Sequence, residues 1–143
     1  MYSAGAQALI LAGVLSAFAA VAHLACIAFG GPAFRIMGAG ERMARAVEAG
    51  KLRPALLTLG IAAVLSGWAA YAFSGAGVIG KLPFTKLVLP AVSAVFLARA
   101  LGFPLLRPLF PENSNVFWFV SSGTCLFIGA LYAVGTTALW ARL

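Results

Sequence analysis

The apolar stretches of this sequence hold few residues that can do chemistry. A set at similar depth comprises one histidine, His23, one arginine, Arg99, and the hydroxyls of Thr58, Ser121, Ser122 and Thr124. A guanidinium beside hydroxyls and an imidazole is a set of hydrogen-bond donors suited to a phosphate or carboxylate, which arginine grips in bidentate fashion. Ionisable groups inside apolar spans are costly and usually face an interior or a wet cavity, so His23 and Arg99 lead the candidate ligand-binding residues. Each has a plain structural counterpart. Arg99 can snorkel toward water, His23 can bond one neighbouring hydroxyl, and Ser or Thr in a helix often bonds its own i−4 carbonyl.

The elements that must position these groups follow from composition. The chain has 143 residues, of which 63% are hydrophobic and 9% charged, with a mean hydropathy of +1.03. A soluble domain carries about 25% charged residues, so this composition points to an integral membrane protein. It argues against disorder, a disulfide scaffold or a nucleic-acid binder, despite the net charge of +7. Four apolar stretches stand out: about Gln7 to Phe29, Pro54 to Phe73, Pro83 to Phe103 and Asn115 to Trp140. Each reaches the ~20 residues that a helix needs to cross ~30 Å of hydrocarbon. Lipid demands that backbone amides pair within a helix or a closed barrel, and no alternating ~10-residue segments are present for a barrel. The expected fold is an all-α membrane protein, an antiparallel bundle of four transmembrane helices in a single domain. The first span lacks a basic leader and exceeds the ~7–15 residues of a signal-peptide core, so it is expected to remain in the mature protein.

Basic residues set the expected orientation. Arg35, Arg42, Arg45, Lys51 and Arg53 lie in the first loop, with Arg99 and Arg107 at the third. Lys81, Lys86 and Arg142 lie on the other side. Loops one and three are therefore expected in the cytoplasm. In a bacterium both termini would then be periplasmic, with the protein in the inner membrane. At ~1.5 Å per residue, His23, Thr58, Arg99, Ser121, Ser122 and Thr124 all fall within roughly 6–14 Å of the cytoplasmic face.

Proline and glycine shape the connections. Gly30-Gly31-Pro32 ends the first helix, Pro54 suits the first turn of the second, Pro90 should kink the third, and Phe103-Pro104 should end it. Asn113 or Ser114 is the expected cap of the fourth helix. Gly40 to Gly50 reads as a short amphipathic cytoplasmic helix, with Glu41 and Arg45 an i,i+4 pair. Its basic residues, Arg42 and Arg45 among them, would meet anionic headgroups. Gly75-Ala76-Gly77-Val78-Ile79-Gly80 matches a dinucleotide-binding spacing but follows an apolar helix and lacks the distant acid, so these are turn glycines. Cys26 and Cys125 have no metal-ligand spacing, and one histidine with no carboxylate in any span builds no metal site. No cofactor is expected. Trp68, Trp118, Trp140, Tyr2 and Tyr71 fit interfacial anchoring or packing.

Small residues (Ala12, Ala19, Ala22, Gly60, Ser66, Ala70, Ala94, Ala98, Gly129, Ala133) are expected where helices touch, with enough to spare for a homo-oligomer or a larger membrane complex. The run Gly38-Ala39-Gly40-Glu41-Arg42, then Pro54 to Gly60, Tyr71, Gly75-Ala76-Gly77, Leu82-Pro83 and Arg99, resembles small uncharacterised bacterial four-helix membrane proteins. That resemblance covers most of the chain and implies no activity. Glu41-Arg42-x-x-Arg45-Ala46 before a proline-led span also resembles the membrane-associated proteins in eicosanoid and glutathione metabolism, which are trimers binding glutathione between subunits. Only Arg42, Arg45 and Arg99 carry over. The Asn and Glu that family places before its proline are absent, as is its Tyr after the arginine. Small multidrug transporters share the size and topology but need a Glu in the first span, whereas Glu41, Glu48 and Glu112 all lie in loops. The leading expectation is a non-enzymatic protein that binds a lipid or small anionic amphiphile in its cytoplasmic half, or serves as a helper subunit. A glutathione-dependent membrane enzyme and a small-molecule transporter are the alternatives.

Overall fold

A computed structural model describes residues Met1–Leu143. The chain is entirely helical: α1 (Ala4–Phe29), α2 (Gly31–Ile36), α3 (Glu41–Glu48), α4 (Arg53–Gly75), α5 (Thr85–Leu101), α6 (Phe103–Leu106), a 3₁₀ turn at Arg107–Leu109, and α7 (Asn115–Leu139). Helices α1, α4 and α7 are each long and apolar enough to cross a membrane. A fourth span is made only if α5 is counted with the helical segment after it, to which it is bent by 61°.

Local chemistry explains most of the boundaries. The Ser3 hydroxyl accepts from the Ala6 N–H at 3.3 Å and starts α1, and the Ser114 hydroxyl accepts from Phe117 N–H at 3.1 Å and starts α7. Gly30 at φ +75° and Gly40 at φ +90° take conformations closed to most side chains, which frees α2 and α3 to turn away from α1. The third span ends where Phe103-Pro104 predicts. Helix α5 runs through Pro90 unbroken, and the sharp bend comes at Gly102, just ahead of Phe103-Pro104. Pro90 costs α5 one interior bond, to the Lys86 carbonyl, without ending the helix, whereas Pro104 falls in the first turn of α6, where no N–H is needed. The Gly75–Gly80 run forms the end of α4 and the turn after it. Ser74 organises that turn by donating to the Gly80 carbonyl (3.0 Å) and accepting from Leu82 N–H (2.9 Å).

Helices α1 and α7, α1 and α4, and α4 and α5 run in opposite directions. Gly5 at the start of α1 sits against Ala138 and Leu139 at the end of α7, Gly13 against Phe73 near the end of α4, and Gly75 against Leu89 near the start of α5. The core between them holds Leu9, Ala12, Leu89, Val92, Phe96 and Tyr132, all buried. Polar bonds cross it. The Tyr132 hydroxyl lies 3.0 Å from Ser16 Oγ and donates to the Trp68 carbonyl at 3.1 Å, joining α7, α1 and α4. Ser93 donates to the Gly129 carbonyl at 2.9 Å, joining α5 and α7. Only 34 of 143 residues are buried, and the outward surface is apolar, with Phe18, Leu87 and Phe119 about 70% exposed.

The small residues divide against expectation. Ala12 and Gly129 are buried between helices, whereas Gly60, Ser66, Ala94 and Ala98 face outward. The glycines that do let helices touch include Gly5, Gly13 and Gly135. A side chain at Gly135 would meet Leu9 Cγ at 2.5 Å and the Gly5 carbonyl oxygen at 2.9 Å, while one at Gly60 meets nothing within 4 Å. Gly135→Ala should therefore lower stability by about 1–3 kcal/mol through overpacking. Gly60→Ala should be neutral or raise it by roughly 0.5–1 kcal/mol. Unfolding of the detergent-purified variants checks this, and equal effects at the two positions would contradict the assigned packing.

Candidate functional site

Two groups of polar side chains lie at the end of the molecule that carries α2 and α3. The first is a charged platform. Arg35, in the last turn of α2, reaches both carboxylates of α3: Nη2 to Glu41 at 2.9 Å and Nη1 to Glu48 at 2.6 Å. Arg45 adds Nε to Glu41 at 3.2 Å. The Arg35 hydrogen bonds, with help from Arg45, hold the Glu41 carboxyl down to about 2, and Arg35 also holds Glu48 below its usual range. Bonds from the α6–α7 connection fasten the platform. Glu112 accepts from the Glu41 N–H at 3.2 Å, and Asn113 Nδ2 donates to the Gly38 carbonyl at 3.0 Å. Beneath it Phe34 and Ala44 pack on Cys26 of α1.

This platform frames an open groove of about 990 Å³ between α3, the start of α4 and the α6–α7 connection. Arg42, Arg45, Lys51 and Arg53 line it, with Met43, Pro54, Leu109 and Phe110 as its apolar part. Both glutamates in its wall are engaged, Glu41 with Arg35 and Arg45 and Glu112 with a backbone amide. Arg42, Lys51 and Arg53 face no acid within salt-bridge distance. The groove thus combines uncompensated positive charge with an apolar side, the character of a seat for an anionic amphiphile.

The second group lies where the end of α5 meets the start of α7. Arg99 Nη2 donates to Ser121 Oγ at 2.9 Å, and the guanidinium carbon stands 5.4 Å from the Trp118 ring centroid. Arg99 Nη1, Trp118 Nε1 and Ser122 Oγ are buried without a hydrogen-bond partner. Of the six intrahelical candidates the structure brings together Arg99 and Ser121, while Ser122, the next residue, is buried without a partner. The other three bond their own helices: His23 Nδ1 to Ala19 O (2.7 Å), Thr58 to Pro54 O (2.8 Å) and Thr124 to Val120 O (2.8 Å). Arg42 and Arg45 line the groove, and Arg99 does not.

Sequence reasoning missed Lys51, Arg53 and Phe110 in the groove and Trp118 beside Arg99. Lys51 and Arg53 count in the sequence toward orientation, and nothing local marks them as groove residues. Trp118 was visible as a tryptophan three residues before Ser121, the spacing that puts both on one helix face. Comparison with protein-family models, curated proteins and solved structures gives no match.

The platform carries a pH dependence of fixed sign. Folding depresses the Glu41 and Glu48 carboxyls, so their contribution is present above the ordinary carboxylate value of ~4.3 and is lost as pH falls, for Glu41 toward about 2. A spin label on Ala49→Cys should gain mobility between pH 4.5 and 2, and Arg35→Gln should produce the same mobility at pH 7. A label whose mobility is the same in all three conditions would contradict the ion-pair account.

Proposed function

We propose that this chain is an integral membrane protein whose four apolar segments form an antiparallel transmembrane bundle, and that it acts as a non-enzymatic binder of an anionic lipid or amphiphile. Loops one and three are assigned to the cytoplasm on the excess of basic residues there. Both termini then lie on the opposite face, periplasmic in a bacterial inner membrane. The apolar outer surface, with side chains such as Phe18 and Phe119 extended into the surroundings, supports a lipid environment.

One observation carries the functional reading: the groove of about 990 Å³ that sets Arg42, Arg45, Lys51 and Arg53 against Phe110, Leu109 and Pro54. Pro54 stands in the first turn of α4. In the proposed orientation this is where the headgroup layer of the cytoplasmic leaflet meets the protein. The cations engage a phosphate or carboxylate headgroup, and the apolar side receives the start of its chain. Juxtamembrane cations attract anionic lipid at ~1 kcal/mol each.

The test is the lipid that copurifies with the full chain. The triple variant Arg42→Gln/Lys51→Gln/Arg53→Gln should lose at least tenfold of its retained anionic phospholipid, about 1.4 kcal/mol of binding, with zwitterionic phospholipid unchanged. Unchanged retention would remove the groove as the seat. Displacement of that lipid by millimolar glutathione would instead favour the glutathione-enzyme alternative.

A further inference from the structure

We propose that Lys81, Phe84, Lys86 and Arg142 form a second lipid site, at the opposite end of the molecule from the groove, which holds the phosphate of an anionic phospholipid. The site shares with the groove only the membrane setting. A cavity of about 320 Å³ opens between the end of α4, the turn into α5 and the residues that follow α7. That volume is at the lower end of the ~300–1,000 Å³ of small-molecule sites. Lys81, Lys86 and Arg142 all line it, and they are the only lysines and arginines at that end. Cations that served only to anchor the protein among headgroups would spread around the rim. These three share one cavity.

Their charge is uncompensated. Glu41, Glu48 and Glu112 are all held at the groove end. None of the three cations has a carboxylate within salt-bridge distance, that of Leu143 included. What they do touch leaves their charge in place. Lys81 Nζ donates to the Arg142 carbonyl at 2.8 Å, which draws the two basic residues together. An ammonium has three hydrogens, so Lys81 keeps two for a ligand. Lys86 Nζ stands 5.7 Å from the Trp140 ring centroid. Helix α5 starts beside the same cavity with no side-chain cap and no acid in its first turn, so its positive end adds to the field. Cations without a counter-charge around a cavity select an anion, and phosphate is the anion that a membrane surface supplies.

Phe84 points to lipid as the carrier of that phosphate. It is the only residue other than glycine with a positive φ, +60°, a conformation that strains a bulky side chain and costs glycine nothing. Glycine would serve the turn better, yet a phenylalanine stands there with its ring 76% exposed, next to the buried Thr85. Lining the cavity with the cations, this ring offers apolar surface to the glycerol and upper acyl carbons, as interfacial aromatics do. A free phosphate has no use for it. In the proposed orientation this end meets the leaflet opposite the groove.

Native mass spectrometry of the full chain in neutral detergent tests this, with phosphatidylglycerol, phosphatidylcholine and inorganic phosphate as probes. Wild type should retain phosphatidylglycerol and neither of the others. Lys81→Gln/Lys86→Gln/Arg142→Gln should weaken retention of one phosphatidylglycerol tenfold or more, both in wild type and in the groove variant Arg42→Gln/Lys51→Gln/Arg53→Gln. Because the loss is read in both backgrounds, failure of this site and failure of the groove are separate results. Phe84→Gly keeps every charge. It should unfold no earlier than wild type and yet hold the same adduct several-fold more weakly, which a bulk-charge effect would not produce. Should the triple variant misfold, Phe84→Gly decides in its place. The proposal is overturned if the groove variant retains no phosphatidylglycerol, if these substitutions leave retention unchanged, or if inorganic phosphate is held as firmly as phosphatidylglycerol.

Discussion

The packing of the long helices depends on a buried hydroxyl. Tyr132 stands fully buried among apolar side chains, and its oxygen must be satisfied from within the protein. It meets Ser16 of α1 and the Trp68 carbonyl of α4 together, so one side chain of α7 fixes two other helices in rotation and height. Apolar contacts alone would leave that register soft, because the outward and inward faces of these helices are almost equally apolar. The ring adds to the constraint by stacking on Phe96 at 5.8 Å, and Phe96 in turn meets Trp68 edge-on at 5.5 Å. With Ser93 bonded to the Gly129 carbonyl, every long helix is tied by a polar bond to another.

From this node the two ends of the molecule diverge. At the end where α4 meets α5, the chain turns tightly around Ser74. At the other end the connections are longer and carry the charge. There Arg35 gathers Glu41 and Glu48, Glu112 and Asn113 reach across from the α6–α7 connection, and Arg42, Lys51 and Arg53 remain without acids. Neutralising the glutamates internally leaves the net positive charge of the region concentrated on the groove. Arg99 obeys the same logic deeper in the fold, where the Ser121 hydroxyl and the Trp118 ring hold it and no carboxylate cancels it.

Much of the architecture was legible in the sequence because its signals are additive over many residues. The apolar runs from Gln7, Pro54 and Asn115 became α1, α4 and α7 with ends shifted by a few residues, and Gly40 to Gly50 contained α3. What escaped depends on single long-range contacts. Helix α2 is six residues long and is held by Arg35 reaching into α3, which no local pattern announces. The break in the third span falls at Gly102, ahead of Phe103-Pro104, and α5 continues through Pro90. Whether Gly60 or Gly135 touches a neighbour is a matter of helix rotation, and a helix apolar on all sides does not encode its rotation in periodicity. The shared polar depth predicted for six residues proved a poor guide to contact. Three of them found a carbonyl one turn back, the cheapest bond available to a hydroxyl or imidazole in a helix.

We propose that the basic platform and Arg99 face the cytoplasmic leaflet while the Tyr132 node sits within the membrane. Topology reporters address it directly. Alkaline phosphatase fused after Leu143 should be active, and the same enzyme fused at Glu48 should be inactive. Activity at Glu48 with silence at Leu143 would invert the protein and move the basic groove to the opposite leaflet, contrary to the proposed orientation.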